Sequence, residues 1–169
     1  MSKPFVAILM GSDSDLPAMQ ATFKVLKSFD ITYEVRIHSA HRTPEATHDY
    51  VTDAEKRGCQ AFICAAGLAA HLAGAVSAIT VRPVIGVPMD GGPLKGQDAL
   101  LSTVMMPGGI PVATVAIGSA GAKNAGYLAA QIMAVSDEAL AQKLRDEREA
   151  NKQKILARNA EVQQELGLA

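Results

Sequence analysis

The sequence predicts an α/β fold built on a parallel sheet with helices on both faces. Three observations carry that expectation. Short, continuous apolar runs alternate with longer helix-like ones, several of the apolar runs end on glycine or proline, and no internal repeat or low-complexity linker interrupts the alternation. Continuous apolar runs mark strands buried on both faces, as a sheet between two helix layers requires.

The first strand is expected at Phe5–Met10, closed by Gly11. Asp15 then caps a helix from Leu16 to Phe29, with Pro17 in its first turn and Met19, Phe23 and Leu26 among its apolar positions. A second strand spans Thr32 to His38, and the loop Ser39–Pro44 leads into a helix from Glu45 to Lys56 that ends at Gly58. Thr43 suits the N-cap of that helix and Pro44 its first position. Ala61–Ala66 is the third strand, closed by Gly67, and Leu68 to Ala78 reads as a helix carrying His71. A fourth strand at Val84–Val87 stops at Pro88, and a Gly/Pro-rich loop from Asp90 to Gly96 follows. Next come a helix from Asp98 to Met106, a fifth strand from Pro111 to Ala116 and an alanine-rich helix from Ala122 to Val135. The domain is thus expected over residues 1–135, with a helical extension over 136–169 opened by Ser136 as N-cap. Arg145 to Lys154 is almost wholly polar, so the extension either frays in solvent or packs on a neighbouring subunit.

Composition narrows the function. The 169 residues, 49% hydrophobic with a formal net charge of −1, suit one globular domain. No basic excess points to nucleic acid, and with 4% aromatics and no Trp a base-stacking platform is not expected. No segment reads as a signal peptide or a membrane span. Cys59 and Cys64 lie an odd number apart, which would turn them to opposite faces if both were extended. They are expected as free thiols in a reducing compartment, hence the cytoplasm.

The chemistry concentrates in loops at the carboxyl edge of the sheet, where open α/β folds bind ligands. Ser39, His41 and Arg42 crowd between a strand and a helix N-terminus. The guanidinium can hold a phosphate bidentately, and the imidazole can move a proton near neutral pH. The loop after the first strand offers Ser12 and Ser14 as hydroxyls, with Asp15 either capping its helix or accepting from a sugar diol. His71 follows Gly67 and can reach the same crevice if the third strand neighbours the first two. His38 and His48 are assigned no role. The histidines lack a zinc-ligand spacing, and neither a dinucleotide fingerprint, a Walker loop nor a serine elbow is present. Asp13-Ser14-Asp15 mimics an aspartyl phosphatase motif only weakly, since Gly11 and Ser12 separate it from the strand. What remains is metal-free proton transfer on a phosphorylated small molecule.

Four motifs, Gly11–Asp15, Ser39–Pro44, Ala66–Leu72 and Met106–Val112, resemble in order and spacing those of the 5-(carboxyamino)imidazole ribonucleotide mutases of bacterial purine biosynthesis, the class I PurE family. The resemblance implies a three-layer flavodoxin-like fold assembled as a homo-octamer, with active sites at subunit contacts. It also implies transfer of a carboxylate from the exocyclic nitrogen to ring carbon 4, with no metal or other cofactor. By motif, His41 is the general acid and base. Ser12, Asp15 and Arg42 hold the ribose 5-phosphate portion, Ser39 supports the site, and Gly67 and His71 lie near the end bearing carbon dioxide. The chain departs from the family pattern at Leu68, where a second glycine is usual. Two other readings compete: a carboxylase that adds free carbon dioxide to aminoimidazole ribonucleotide, and a nucleotide-binding module without turnover.

Overall fold

A computed structural model describes residues 3–168; the first two residues and the last of the expected domain ranges lie outside it. The chain divides into two units, one up to Ile132 and one from Met133 on.

The first unit is built on five parallel strands in the order β2-β1-β3-β4-β5. These are β1 (Phe5–Met10), β2 (Tyr33–Ile37), β3 (Cys59–Ala66), β4 (Val84–Pro88) and β5 (Ala113–Thr114). The connecting helices are α1 (Leu16–Ser28), α2 (Pro44–Lys56), α3 (Leu72–Ser77), α4 (Gln97–Val104) and α5 (Gly118–Ala134). This is the flavodoxin-like order, in which the chain reverses direction across the sheet between β1 and β3. Every residue of β1 is buried, as its continuous apolar run requires. Phe5, Ala7 and Leu9 pack with Val51 and Ala54 of α2 and Leu72, Ala73 and Val76 of α3. Val6, Ile8 and Met10 alternate to the other face. There α1 and α5 lie together, the Thr22 hydroxyl donating to the Ala122 carbonyl at 2.6 Å.

Several elements differ from expectation, each for a local reason. A bulge between Phe5 and Val6 lets three residues of β3, Cys59 to Ala61, oppose two of β1. That extra residue resets the alternation, so Cys59 and Cys64 join the same core layer instead of facing apart. Both thiols are free, and burial pushes both up, Cys59 to about 11. The α3 helix begins at Leu72 because Leu68, at φ +56°, cannot belong to a right-handed helix. The α4 helix stops at Val104, short of the restriction that Pro107 imposes on the residue before it. Only Ala113 and Thr114 form β5, since Pro111 has no N–H to donate. The α5 helix starts four residues early, its two first-turn glycines outweighed by packing rather than favoured by propensity.

The second unit is one 28-residue helix, α6 (Glu138–Glu165), rather than a frayed tail. Asp137, not Ser136, caps it, accepting from the Leu140 N–H at 3.0 Å. Exposed pairs such as Lys152–Glu149 and Arg158–Glu161 line it. Gly167 closes it at φ +66°, with the Leu168 N–H returning to the Gln163 carbonyl at 2.8 Å.

Candidate active site

The loops leaving β1, β2, β3 and β4 open onto one cleft of about 470 Å³ at the carboxyl edge of the sheet. Its position at the β1/β3 reversal is where an open parallel sheet leaves room for a ligand. All seven residues singled out from the sequence line it: Ser12, Asp15, Ser39, His41, Arg42, Gly67 and His71. The sheet order explains why. β1 lies between β2 and β3, so the loops after all three converge although 60 residues of chain separate Gly11 from His71.

The loop after β1 forms a single 3₁₀ turn, Asp13–Asp15. Ser12 caps it, its hydroxyl oxygen accepting from the Ser14 N–H at 3.2 Å and the Ser14 hydroxyl at 3.0 Å. Asp15 does not cap α1: its side chain makes no cap hydrogen bond and is buried, with 7% exposure. Burial is the main reason its carboxyl sits above the usual range. The Asp13 charge adds to the effect, while hydrogen bonds from Ser12 and Ser14 oppose it. A carboxylate freed from capping is available to a ligand.

That choice has a stability cost with a definite pH dependence. A folded-state value above the unfolded one means that ionising Asp15 destabilises the fold. The penalty is fully present above the folded value, shrinks as pH falls through it, and is gone below the unfolded value. Asp15→Asn should therefore raise the melting temperature of the ligand-free protein at pH 7 and lose that advantage in acid. Melts at the two pH values check this; an equal shift at both would assign the effect to packing instead.

The loop after β2 is tied to itself before α2 begins. Thr43 stands at the N-cap position but does not cap α2 through its side chain. Its hydroxyl accepts from the Ser39 N–H at 2.9 Å and donates to the Ser39 carbonyl at 3.1 Å. The Ser39 hydroxyl in turn accepts the Arg42 N–H at 3.1 Å. The five residues from Ser39 to Thr43 are held by side-chain bonds at both ends, which leaves the His41 and Arg42 side chains exposed and aimed at the cleft. Ser39 is thus committed to the loop's own geometry.

The two histidines meet across the cleft. His41 Nε2 lies 2.7 Å from His71 Nδ1, with the rings nearly perpendicular at 84°. One hydrogen fits between those nitrogens: one ring donates it, and the other must present its lone pair. Such a pair can pass a proton. His38 stacks instead on Tyr50 and His48 pairs with Asp49 on the surface of α2; neither lines the cleft.

Ser14, offered from the sequence as a second hydroxyl of the first loop, also lines the cleft, as do Leu68, Gly91 and Gly92. Met89, which the sequence did not mark, lines it as well, and Ser102 of α4 backs it through its bond to the 67–71 loop. The Ser102 hydroxyl accepts the N–H of buried Ala70 at 3.0 Å, tying the 67–71 loop to α4. The contribution of Met89 to Gly92 follows from β4 lying beside β3; nothing in the sequence marks Ser102. The Gly/Pro-rich loop Asp90–Gly96 reaches the cleft through Gly91 and Gly92, whereas the motif Met106–Val112 does not line it. Among the described residues, no group of three or more His, Cys, Asp or Glu is arranged to hold a metal ion. Nor is any described helix long and apolar enough to cross a membrane.

A family model described as AIR carboxylase matches residues 5–154. The N5-carboxyaminoimidazole ribonucleotide mutase of Thermotoga maritima is 48% identical over 161 residues, which is 95% of this chain and 93% of its own. The protein of that name from Bacillus subtilis is 50% identical over 154 residues, covering 91% and 95% of the two chains. Among solved structures, Treponema denticola PurE superposes with a TM-score of 0.85 at 34% identity, covering 94% of this chain and 98% of that one.

Proposed function

The chain belongs to the AIR carboxylase family, and from that premise we propose that it works as an N5-carboxyaminoimidazole ribonucleotide mutase, an isomerase of purine biosynthesis. One observation carries the residue assignments: a proton-transfer pair, an arginine and a buried carboxylate share one cleft.

In this reading Arg42 and the Ser12 hydroxyl take the phosphate, and Asp15 accepts from the ribose diol. His41, in its protonated form, gives its proton to the exocyclic nitrogen. The nitrogen–carboxyl bond breaks, the bonding pair stays on nitrogen, and carbon dioxide is released inside the cleft. Ring carbon 4 then attacks that carbon dioxide, and His41 removes the proton from the same carbon. The proton lent in the first step is recovered in the last, so the reaction is an isomerisation and draws on no metal or other cofactor. His71 holds His41 in position and lies with Gly67 beside the migrating carboxylate. The active unit is a homo-octamer in the cytoplasm, with α6 packing on a neighbouring subunit.

Supplying the N-carboxylated ribonucleotide in bicarbonate-free buffer tests the reading. Formation of the 4-carboxy product is expected. Product only from aminoimidazole ribonucleotide with added bicarbonate would replace it by the direct carboxylase.

A further inference from the structure

Leu68 holds a backbone angle that side chains avoid. Its φ is +56°, in the left-handed region where glycine would sit without strain. Strain kept at a ligand cleft asks for a reason in the side chain. The loop around it is fixed: Ser102 binds the Ala70 N–H at 3.0 Å and approaches the Leu68 carbonyl at 3.4 Å. Within that frame the leucine is 54% exposed, and it lines the cleft. Its Cδ2 fills the space above Gly92, lying 2.5 Å from where a Cβ on that glycine would be.

The two ends of the cleft differ in character. Ser12, Asp15, Ser39 and Arg42, from the loops after β1 and β2, supply charge and hydrogen bonds. The loops after β3 and β4 supply Gly67, Leu68, Ala69, Met89 and Gly92, whose side chains carry no polar atom, and one polar side chain, His71, whose Nδ1 is turned to His41. Such an end has little to offer a phosphate or a sugar. It does suit a small, neutral, apolar molecule.

We propose that Leu68 is the wall that keeps released carbon dioxide beside the ring until carbon 4 recaptures it; this rests on the mutase reading. Between cleavage of the nitrogen–carboxyl bond and formation of the carbon–carboxyl bond, no covalent bond holds the carbon. Its fate is a competition between recapture and escape. A branched apolar side chain over the bare Gly92 backbone narrows the way out and displaces water.

The test uses substrate labelled with ¹³C in the carboxylate, excess unlabelled bicarbonate, and the full chain with Leu68→Ala, Leu68→Gly or Leu68→Met. Label in the 4-carboxy product and the yield of decarboxylated ribonucleotide are measured together. Wild type and Leu68→Met are expected to carry the label through. Leu68→Ala and Leu68→Gly should lose it several-fold more often and accumulate the decarboxylated ribonucleotide. Glycine relieves the backbone angle and alanine keeps it, so equal leakage from both assigns the effect to the missing side chain. Label retention equal to wild type in both variants would overturn the inference, as would recovery by glycine alone. Failure of the wild type to make any labelled product would sink the mutase reading itself.

Discussion

A chain with His41→Asn should bind the ribonucleotide almost normally and turn it over about a hundredfold to ten-thousandfold more slowly, the range contributed by a positioned acid–base group. Asparagine is a sharp choice because it removes the ring Nε2, and with it the 2.7 Å contact to His71 Nδ1, while staying polar and smaller than the imidazole. The ties between Ser39, Arg42 and Thr43 that shape the loop do not involve residue 41. Loop and cleft therefore survive, while the group that gives and retrieves a proton is gone. Calorimetric binding alongside steady-state turnover separates the two effects. An unchanged dissociation constant with collapsed kcat is the expected pair of results. Turnover close to wild type would remove His41 from the chemistry.

The second large effect concerns stability and lies away from the chemistry. Gly121→Ala should cost about 3 kcal/mol or more, at or above the upper end for overpacking, lowering the melting temperature by about 6–12 °C. Helix propensity alone points the other way, favouring alanine by about 1 kcal/mol. The clash decides: a Cβ at Gly121 would fall inside the van der Waals envelope of the Ala116 carbonyl oxygen, with the carbonyl carbon at 2.5 Å. Backbone cannot swing aside as a side-chain tip can, so either α5 or the segment after β5 must move. Gly108→Ala is the control, with nothing within 4 Å of its Cβ position, and should change the melt by less than about 0.5 kcal/mol. Similar melts for both variants would mean that α5 relaxes more freely than its packing indicates.

β1, β3 and β4 were legible because burial on both faces leaves a signature that each strand carries alone. Phe5–Met10 matches to the residue. The cleft was legible for a related reason: parallel order brings βα turns to one edge, so Ser12, His41 and His71 needed only the sheet order to be brought together. Features that depend on a contact made elsewhere in the chain were hidden. Asp15 looked like a helix cap, and only the packing around it shows a buried carboxylate with no capping bond. Thr43 likewise looked like a cap, yet its hydroxyl is spent on Ser39. Ser102 carries no local mark, since its partner is the Ala70 N–H across 32 positions of chain. The parity of the two cysteines failed because a bulge is a property of two strands and cannot be counted along one.

Cover on both faces of the sheet also governs what an electrophile can reach. It leaves neither Cys59 nor Cys64 at the surface, and burial disfavours the thiolate that alkylation or oxidation needs. The folded molecule is accordingly inert to such reagents, and the pace at which it takes up a thiol label becomes a clock for how often its central strands come apart.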